Sequence, residues 1–273
     1  MTKPATMKIS MLKRLAFAAA SVLLSVSAHA ASGGATEQAG TDLEDRASLQ
    51  RGAQLYMNNC VGCHSLKYMR YSRIAEDLGL TEEQVMNNLN FTGAKFGEHV
   101  ISPMPAEGGA KWFGKAPPDL TLIARVRGSD WVYTYLKSFY LDESRPLGWN
   151  NKLFPNVSMP NPLWEMQGNQ RPVFTKKEPT GKKDDKGEPI MGCPKGTAEA
   201  ESACIKELVI AQPGSQNAEQ FAQTARDITA FLEYAAEPVA LKRQSIGVWV
   251  ILFLSFFTLL AWLLKKEYWR DVH

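Results

Sequence analysis

Three features of this 273-residue chain predict a mainly α-helical domain held by one C-terminal membrane helix. Each end carries an apolar run, and the two runs differ in length and flanks. Helical periodicity with N-cap signatures recurs between them. The composition, 45% apolar and 22% charged with only four cysteines, excludes a disordered chain and a disulfide scaffold. Without its ends the chain retains about 215 residues, enough for one sizeable core.

The first run reads as a secretory signal. Lys3, Lys8, Lys13 and Arg14 form a positive stretch, Leu15 to Val26 is apolar, and Ala28-His29-Ala30 is a small-x-small cleavage site. At about 12 residues the run is short for a bilayer span. Residues 1–30 are therefore expected to be removed, leaving a mature chain from Ala31 and an exported domain over 31–244.

The first helix is expected from the capping box Thr41-Asp42-Leu43-Glu44 and the periodic positions that follow, up to Asn58. Next comes Cys60-Val61-Gly62-Cys63-His64, a C-x-x-C-H sequence. On a helical turn, two cysteines three apart lie on one side and can bond to the two vinyl groups of a haem. The adjacent histidine then faces the iron, which makes this the attachment signal of haem c. A thiol-redox pair would need a strand–helix turn around it, and a zinc site would need a second ligand pair. Neither is evident. A second box, Thr81-Glu82-Glu83-Gln84, opens another helix through Val85 and Met86.

The sixth ligand of such a haem has few candidates. His99 is the only other histidine of the exported domain. Met57 and Met69 stand too close to the attachment turn to reach the opposite haem face. Met86, Met166 and Met191 have no distinguishing context. Met104 in Pro103-Met104-Pro105 and Met159 in Ser158-Met159-Pro160-Asn161-Pro162 sit in proline-stiffened loops that could hold a thioether on iron. The residues alone leave Met104 and Met159 both open. Histidine–methionine ligation raises the reduction potential and leaves no position for substrate.

A last helix of the domain is expected over Ala218 to Tyr234, where Phe221, Ala225, Ile228, Phe231 and Leu232 recur at helical spacing and Pro238 ends the run. Ser245 to Leu264 then offers 20 uncharged residues, about 30 Å of helix, one hydrocarbon core. Trp249, Trp262, Tyr268 and Trp269 are placed as interfacial aromatics. Two basic residues before the span against three after it do not decide orientation. The export signal does, leaving residues 265–273 as a cytoplasmic tail.

The net charge of +3 divides by compartment. The signal carries four of the positive charges and the tail one, so the exported domain carries −2. That balance removes any argument for nucleic-acid binding and weakly favours basic soluble partners.

The order of these residues resembles the cytochrome c1 family, the haem subunit of the quinol–cytochrome c oxidoreductase. The resemblance runs through Cys60-Val61-Gly62-Cys63-His64 with Ser65-Leu66-Lys67-Tyr68, then Pro117-Pro118-Asp119-Leu120 and Ile123-Ala124-Arg125-Val126-Arg127. It continues with Met159-Pro160-Asn161-Pro162-Leu163 and ends at Phe231-Leu232-Glu233-Tyr234-Ala235-Ala236-Glu237-Pro238 before the membrane span. It implies a class I-like cytochrome c domain with long loop insertions and one covalent haem c on Cys60 and Cys63. His64 and Met159 would then be the iron ligands. It also implies that Arg127 lies by a haem propionate, with Arg125 as a second candidate. Trp131 stands where the family often has Tyr and could donate its indole N–H. Pro118 would pack on the haem face near His64. The implied function is electron transfer from the Rieske iron–sulfur protein to a soluble or membrane-bound cytochrome c, with no catalysis by this chain alone. The implied partners are those two proteins and the cytochrome b subunit, in a dimeric complex in a bacterial inner membrane with the haem domain periplasmic. An anchored cytochrome c feeding a terminal oxidase is the alternative. A peroxidase-like haem with an open iron and a haem-free thiol oxidoreductase are further readings.

Residues 167–213 depart from the compact pattern. Lys176, Lys177, Lys182, Lys183, Asp184, Asp185 and Lys186, with several Gly and Pro, read as a charged flexible loop. Cys193 and Cys204 lie within it. In an exported protein they are expected to pair, closing about 12 residues for about 3 kcal/mol on the chain-entropy model.

Overall fold

The fold is that of a computed structural model, which describes residues 36–183, 187–194, 196–199 and 203–272. The signal sequence, from Lys3 to the Ala28–Ala30 cleavage site, lies outside the described residues. So do Asp184, Asp185 and Lys186.

The described chain begins with helix α1 (Arg46–Asn59), followed by β1 (Leu66–Arg70), α2 (Tyr71–Leu78), α3 (Glu82–Asn88), β2 (His99–Val100) and α4 (Ala106–Phe113). Two helices joined at Gly128, α5 (Ile123–Arg127) and α6 (Ser129–Lys137), lead into the β3 (Phe139–Leu141) and β4 (Trp149–Asn151) pair. After α7 (Trp164–Gln167) come five strands, β5 (Gly168–Thr175), β6 (Glu178–Lys183), β7 (Pro189–Gly192), β8 (Ala198–Glu199) and β9 (Cys204–Pro213). Two long helices follow, α8 (Ala218–Ala236) and α9 (Ala240–Tyr268). The domain is mainly helical, with its sheet concentrated between α7 and α8.

The core is organised by the crossing of α1 and α8. Gly52 makes the close approach possible. A Cβ built there would lie 2.0 Å from the Asp227 carbonyl oxygen and 2.8 Å from the Phe231 Cβ. Beside the crossing, the Tyr56 and Phe231 rings are 5.6 Å apart. Asp227, almost fully buried, accepts from the Ser48 hydroxyl at 2.5 Å, Arg51 Nε at 2.7 Å and Gln223 Nε2 at 2.8 Å. A buried carboxylate is tolerable only with such partners, so the network ties the two helices at a defined register.

The helix ends partly follow the sequence reading. Thr81 and Gln84 form the expected reciprocal capping box of α3. Helix α8 starts from an unanticipated box of the same kind, Asn217 with Gln220. Thr41 does not cap α1. Asp45 does, accepting from the Ser48 backbone N–H at 3.0 Å. A carboxylate four residues later than Thr41 supplies the same acceptor with a negative charge at the positive helix end. Thr41 instead donates to Glu233 at 2.6 Å.

The 167–213 segment is corrected most. Composition predicts a flexible loop, but its described residues are largely strands. β5 and β9 pair antiparallel from Gly168↔Pro213 to Thr175↔Cys204, β8 adds to β9, and β6 pairs with β7. Val173, Phe174, Ile205, Leu208, Val209 and Ile210 supply β-propensity that the lysine-rich average conceals. Cys193 and Cys204 are joined as a disulfide, which ties the end of the β6–β7 pair to the first residue of β9.

Helix α9 contains the uncharged 245–264 span and continues past it at both ends. Its 29 residues correspond to about 44 Å. Among the described residues it is the one helix long and apolar enough to cross a membrane, and its apolar stretch is not buried against any of them. At its start, Glu237 accepts from Arg125 of α5 and Arg243 of α9, joining the head to the membrane helix.

Candidate haem-binding site

Helix α1 ends in the attachment turn. The Cys60 N–H and Val61 N–H both donate to the Tyr56 carbonyl, at 2.8 and 3.1 Å. The Cys63 and His64 N–H groups return to the Cys60 carbonyl at 3.0 and 2.8 Å. The turn therefore places two unpaired thiols and an imidazole together. Burial pushes the Cys60 thiol up to about 12. A redox-active C-x-x-C pair needs the reverse, a thiol shifted down to yield thiolate.

Neighbouring segments hold the histidine. The His64 Nδ1–H donates to the Pro118 carbonyl at 2.7 Å, and the Tyr56 hydroxyl donates to the His64 carbonyl at 2.7 Å. A bond to a carbonyl requires the proton on Nδ1, which leaves the Nε2 lone pair for a metal. Burial pushes the His64 pKa down, favouring the neutral ligand form, against the smaller opposing effect of the Pro118 bond. The Pro118 segment is itself pinned: the Leu120 N–H donates to the Ser65 carbonyl at 3.0 Å, and Asp119 accepts from the Lys67 N–H at 2.8 Å. The Ser102 hydroxyl donates to the Gly62 carbonyl at 2.9 Å. Pro118 thus meets His64 through its carbonyl oxygen, a contact distinct from the ring packing expected of it.

A second group is built on α5, α6 and the loop after β4. Arg127, Trp131 and Tyr135 stand four residues apart and form a stack. The Arg127 guanidinium lies 5.0 Å from the Trp131 ring centroid, and the Trp131 and Tyr135 rings are nearly parallel at 4.9 Å. Phe139 closes the stack edge-on against Tyr135 at 5.0 Å, and Phe154 covers Arg127 and Trp131 at 5.7 and 6.1 Å. At the inner end, the Tyr135 hydroxyl reaches the Met159 sulfur at 3.5 Å. Burial pushes the Tyr135 phenol above its usual pKa, so it is a donor at neutral pH.

The Met159 loop is held by two buried asparagines. The Asn151 side chain accepts from the Leu153 and Phe154 N–H groups and donates to the Tyr135 carbonyl at 2.9 Å. Asn161 accepts from the Leu163 N–H and donates to Gln167, both at 2.9 Å. Cys60 and Val61 are part of the same apolar core against which Trp131, Tyr135 and Leu120 pack.

Other candidates fall elsewhere. Arg125 pairs with Glu237 at the membrane-helix end and does not join the Arg127 stack. Met104 packs against Gly109 beside Pro117. Met57, Met69, Phe221 and Phe231 are buried core residues. His99 lies in β2, paired with Arg70. The sequence assigns no role to Tyr56, Tyr135 or Asn151, and Asn161 enters it only as part of the Met159 motif. The four-residue spacing from Arg127 through Trp131 was the available signal for Tyr135.

The residues suit a haem c. Two thiols and a histidine with a free Nε2 share one turn. A thioether is held by an ordered loop, and Arg127 has no carboxylate within ion-pair distance among the described residues. The family model described as "Cytochrome C1 family" matches residues 38–171 and 200–272. The chain belongs to the cytochrome c1 family. It is 48% identical to cytochrome c1 of Allochromatium vinosum, over 92% of this chain and 96% of that one. It is 38% identical to a protein named ammonia monooxygenase gamma subunit of Nitrosomonas europaea, over 87% and 88%. It is 28% identical to cytochrome c1 of Rhodospirillum rubrum, over 84% and 83%. Cytochrome c1 proteins carry one covalent haem c and serve respiratory electron transport, and this chain shares the membrane helix. The family model leaves out residues 172–199, which cover β6–β8 and the adjoining half of β5.

Proposed function

We propose that this chain is the haem subunit of a bacterial quinol–cytochrome c oxidoreductase, receiving electrons from the Rieske protein and delivering them to a soluble or membrane-bound cytochrome c. The observation that carries this reading is the His64 ring, with Nδ1–H engaged by Pro118 and Nε2 left to ligate, inside the C-x-x-C-H turn. Cys60 and Cys63 hold the haem through thioethers, and His64 and Met159 are its ligands. When bound, the haem supplies a one-electron ferric/ferrous couple. The chain's own residues orient it and set its environment. Pro118 fixes the imidazole tautomer, the Asn151 and Asn161 loop presents the thioether, and Arg127 neutralises a propionate with its guanidinium fork. The crossing of α1 and α8 at Gly52 and Phe231, with the attachment turn at the end of α1, supports a class I-like cytochrome c domain.

The haem domain faces the periplasm, and residues 265–273 lie in the cytoplasm. The membrane helix packs on the cytochrome b subunit of a dimeric complex. The Glu237 clamp keeps the head at a fixed attitude to that helix. Solubilising membranes with a mild detergent and purifying on this chain tests the assignment. Cytochrome b and the Rieske protein are expected with it. Recovery with a terminal oxidase or a monooxygenase, and without those two, would overturn it.

A further inference from the structure

We propose that the Tyr135 hydroxyl is a positioning group that hydrogen-bonds the Met159 sulfur and holds the reduction potential up. The inference rests on the reading of Met159 as the sixth ligand. A thioether sulfur has two lone pairs. Ligation uses one, and the second can accept an O–H, as the 3.5 Å contact from Tyr135 provides. Sulfur is a weak acceptor, and this bond is made in a partly buried place, where it is stronger than in open water. Drawing density from sulfur weakens its donation to the electron-poor ferric ion more than to the ferrous ion. The reduced state is therefore favoured.

The donor is well fixed. The ring of Tyr135 is stacked on Trp131 and closed by Phe139. Its backbone carbonyl accepts from Asn151, the same side chain that shapes the loop leading to Met159. One residue thus braces the ligand loop by its main chain and addresses the ligand atom by its side chain. Among the described residues, Met159 is the hydrogen-bond partner found for this hydroxyl.

Tyr135→Phe keeps the ring and the stack and removes only the O–H. In the membrane-purified complex it is expected to shift the ferrous/ferric equilibrium toward ferric by about threefold to tenfold, the scale of one modest hydrogen bond. At 59 mV per decade for one electron that is about 28–59 mV downward. Ferrous Y135F is expected to exclude carbon monoxide, as the parent does. Met159→Ala is measured beside it. An unchanged Y135F midpoint with a carbon-monoxide-binding Met159→Ala overturns the Tyr135 role and leaves the ligand assignment standing. Carbon monoxide binding by Y135F shows that the hydroxyl retains the ligand rather than tunes it, which also overturns the proposal. A Met159→Ala variant with unchanged midpoint and no carbon monoxide binding removes the ligand assignment itself, and the proposal with it.

Discussion

Met159→Ala is expected to lower the midpoint potential on the order of 0.1–0.3 V and to let the ferrous iron bind carbon monoxide. With Met159 as the proposed sixth ligand, alanine supplies no donor atom, so that position would open, and the loss of a thioether ligand would favour the ferric state. The loop itself should persist. Its conformation depends on Asn151, Asn161 and the flanking prolines, and none of their recorded hydrogen bonds uses the Met159 side chain. Met104→Ala is the matched control. Its sulfur packs against Gly109 beside Pro117, next to the segment that carries the His64-binding Pro118 carbonyl. It should change neither potential nor ligand access. Redox titration and carbon monoxide difference spectra read both variants, and the reverse pattern would make Met104 the ligand.

Gly52→Ala is expected to cost about 3 kcal/mol or more of stability, at the upper end for overpacked cores. The added methyl would meet the Asp227 carbonyl oxygen at 2.0 Å and its carbon at 2.7 Å. These are backbone atoms of α8, so no side chain can swing aside, and the helices must separate. Separation weakens the Ser48 and Arg51 bonds to Asp227 and the Tyr56–Phe231 contact together. It also moves Tyr56, whose hydroxyl holds the His64 carbonyl, so haem incorporation should fall with stability. Gly97→Ala is the control, because nothing lies within 4 Å of a Cβ there. Denaturant unfolding of the detergent-solubilised chain measures both. A loss below about 1 kcal/mol for Gly52→Ala would show that the crossing can relax.

What was legible in the sequence was local. The attachment turn is defined by five consecutive residues, the anchor by one long apolar run, α3 by its capping box and α8 by periodicity. Each signal is strong because neighbours in sequence produce it. The illegible parts depend on distant pairings or on averages. Asp45 outcompetes Thr41 for the α1 cap because Thr41 is drawn to Glu233, 192 positions away. The strands of the 168–213 region are hidden by lysines when composition is averaged, although Val173 and Ile205 show the β pattern locally. Arg125 and Arg127, two residues apart, point to different partners on a short helix, Glu237 and Trp131, and only the fold separates them. Tyr135 gains its meaning from a loop that returns 24 residues later.

Cys60 and Cys63 are proposed to carry one haem covalently. The direct measurement is the haem content of the membrane-purified chain after full denaturation and acid extraction. One haem c per chain is expected to stay with the polypeptide, and none on a Cys60→Ala/Cys63→Ala variant. Haem that extracts freely, or two free thiols titrating at Cys60 and Cys63 in the parent chain, would contradict it.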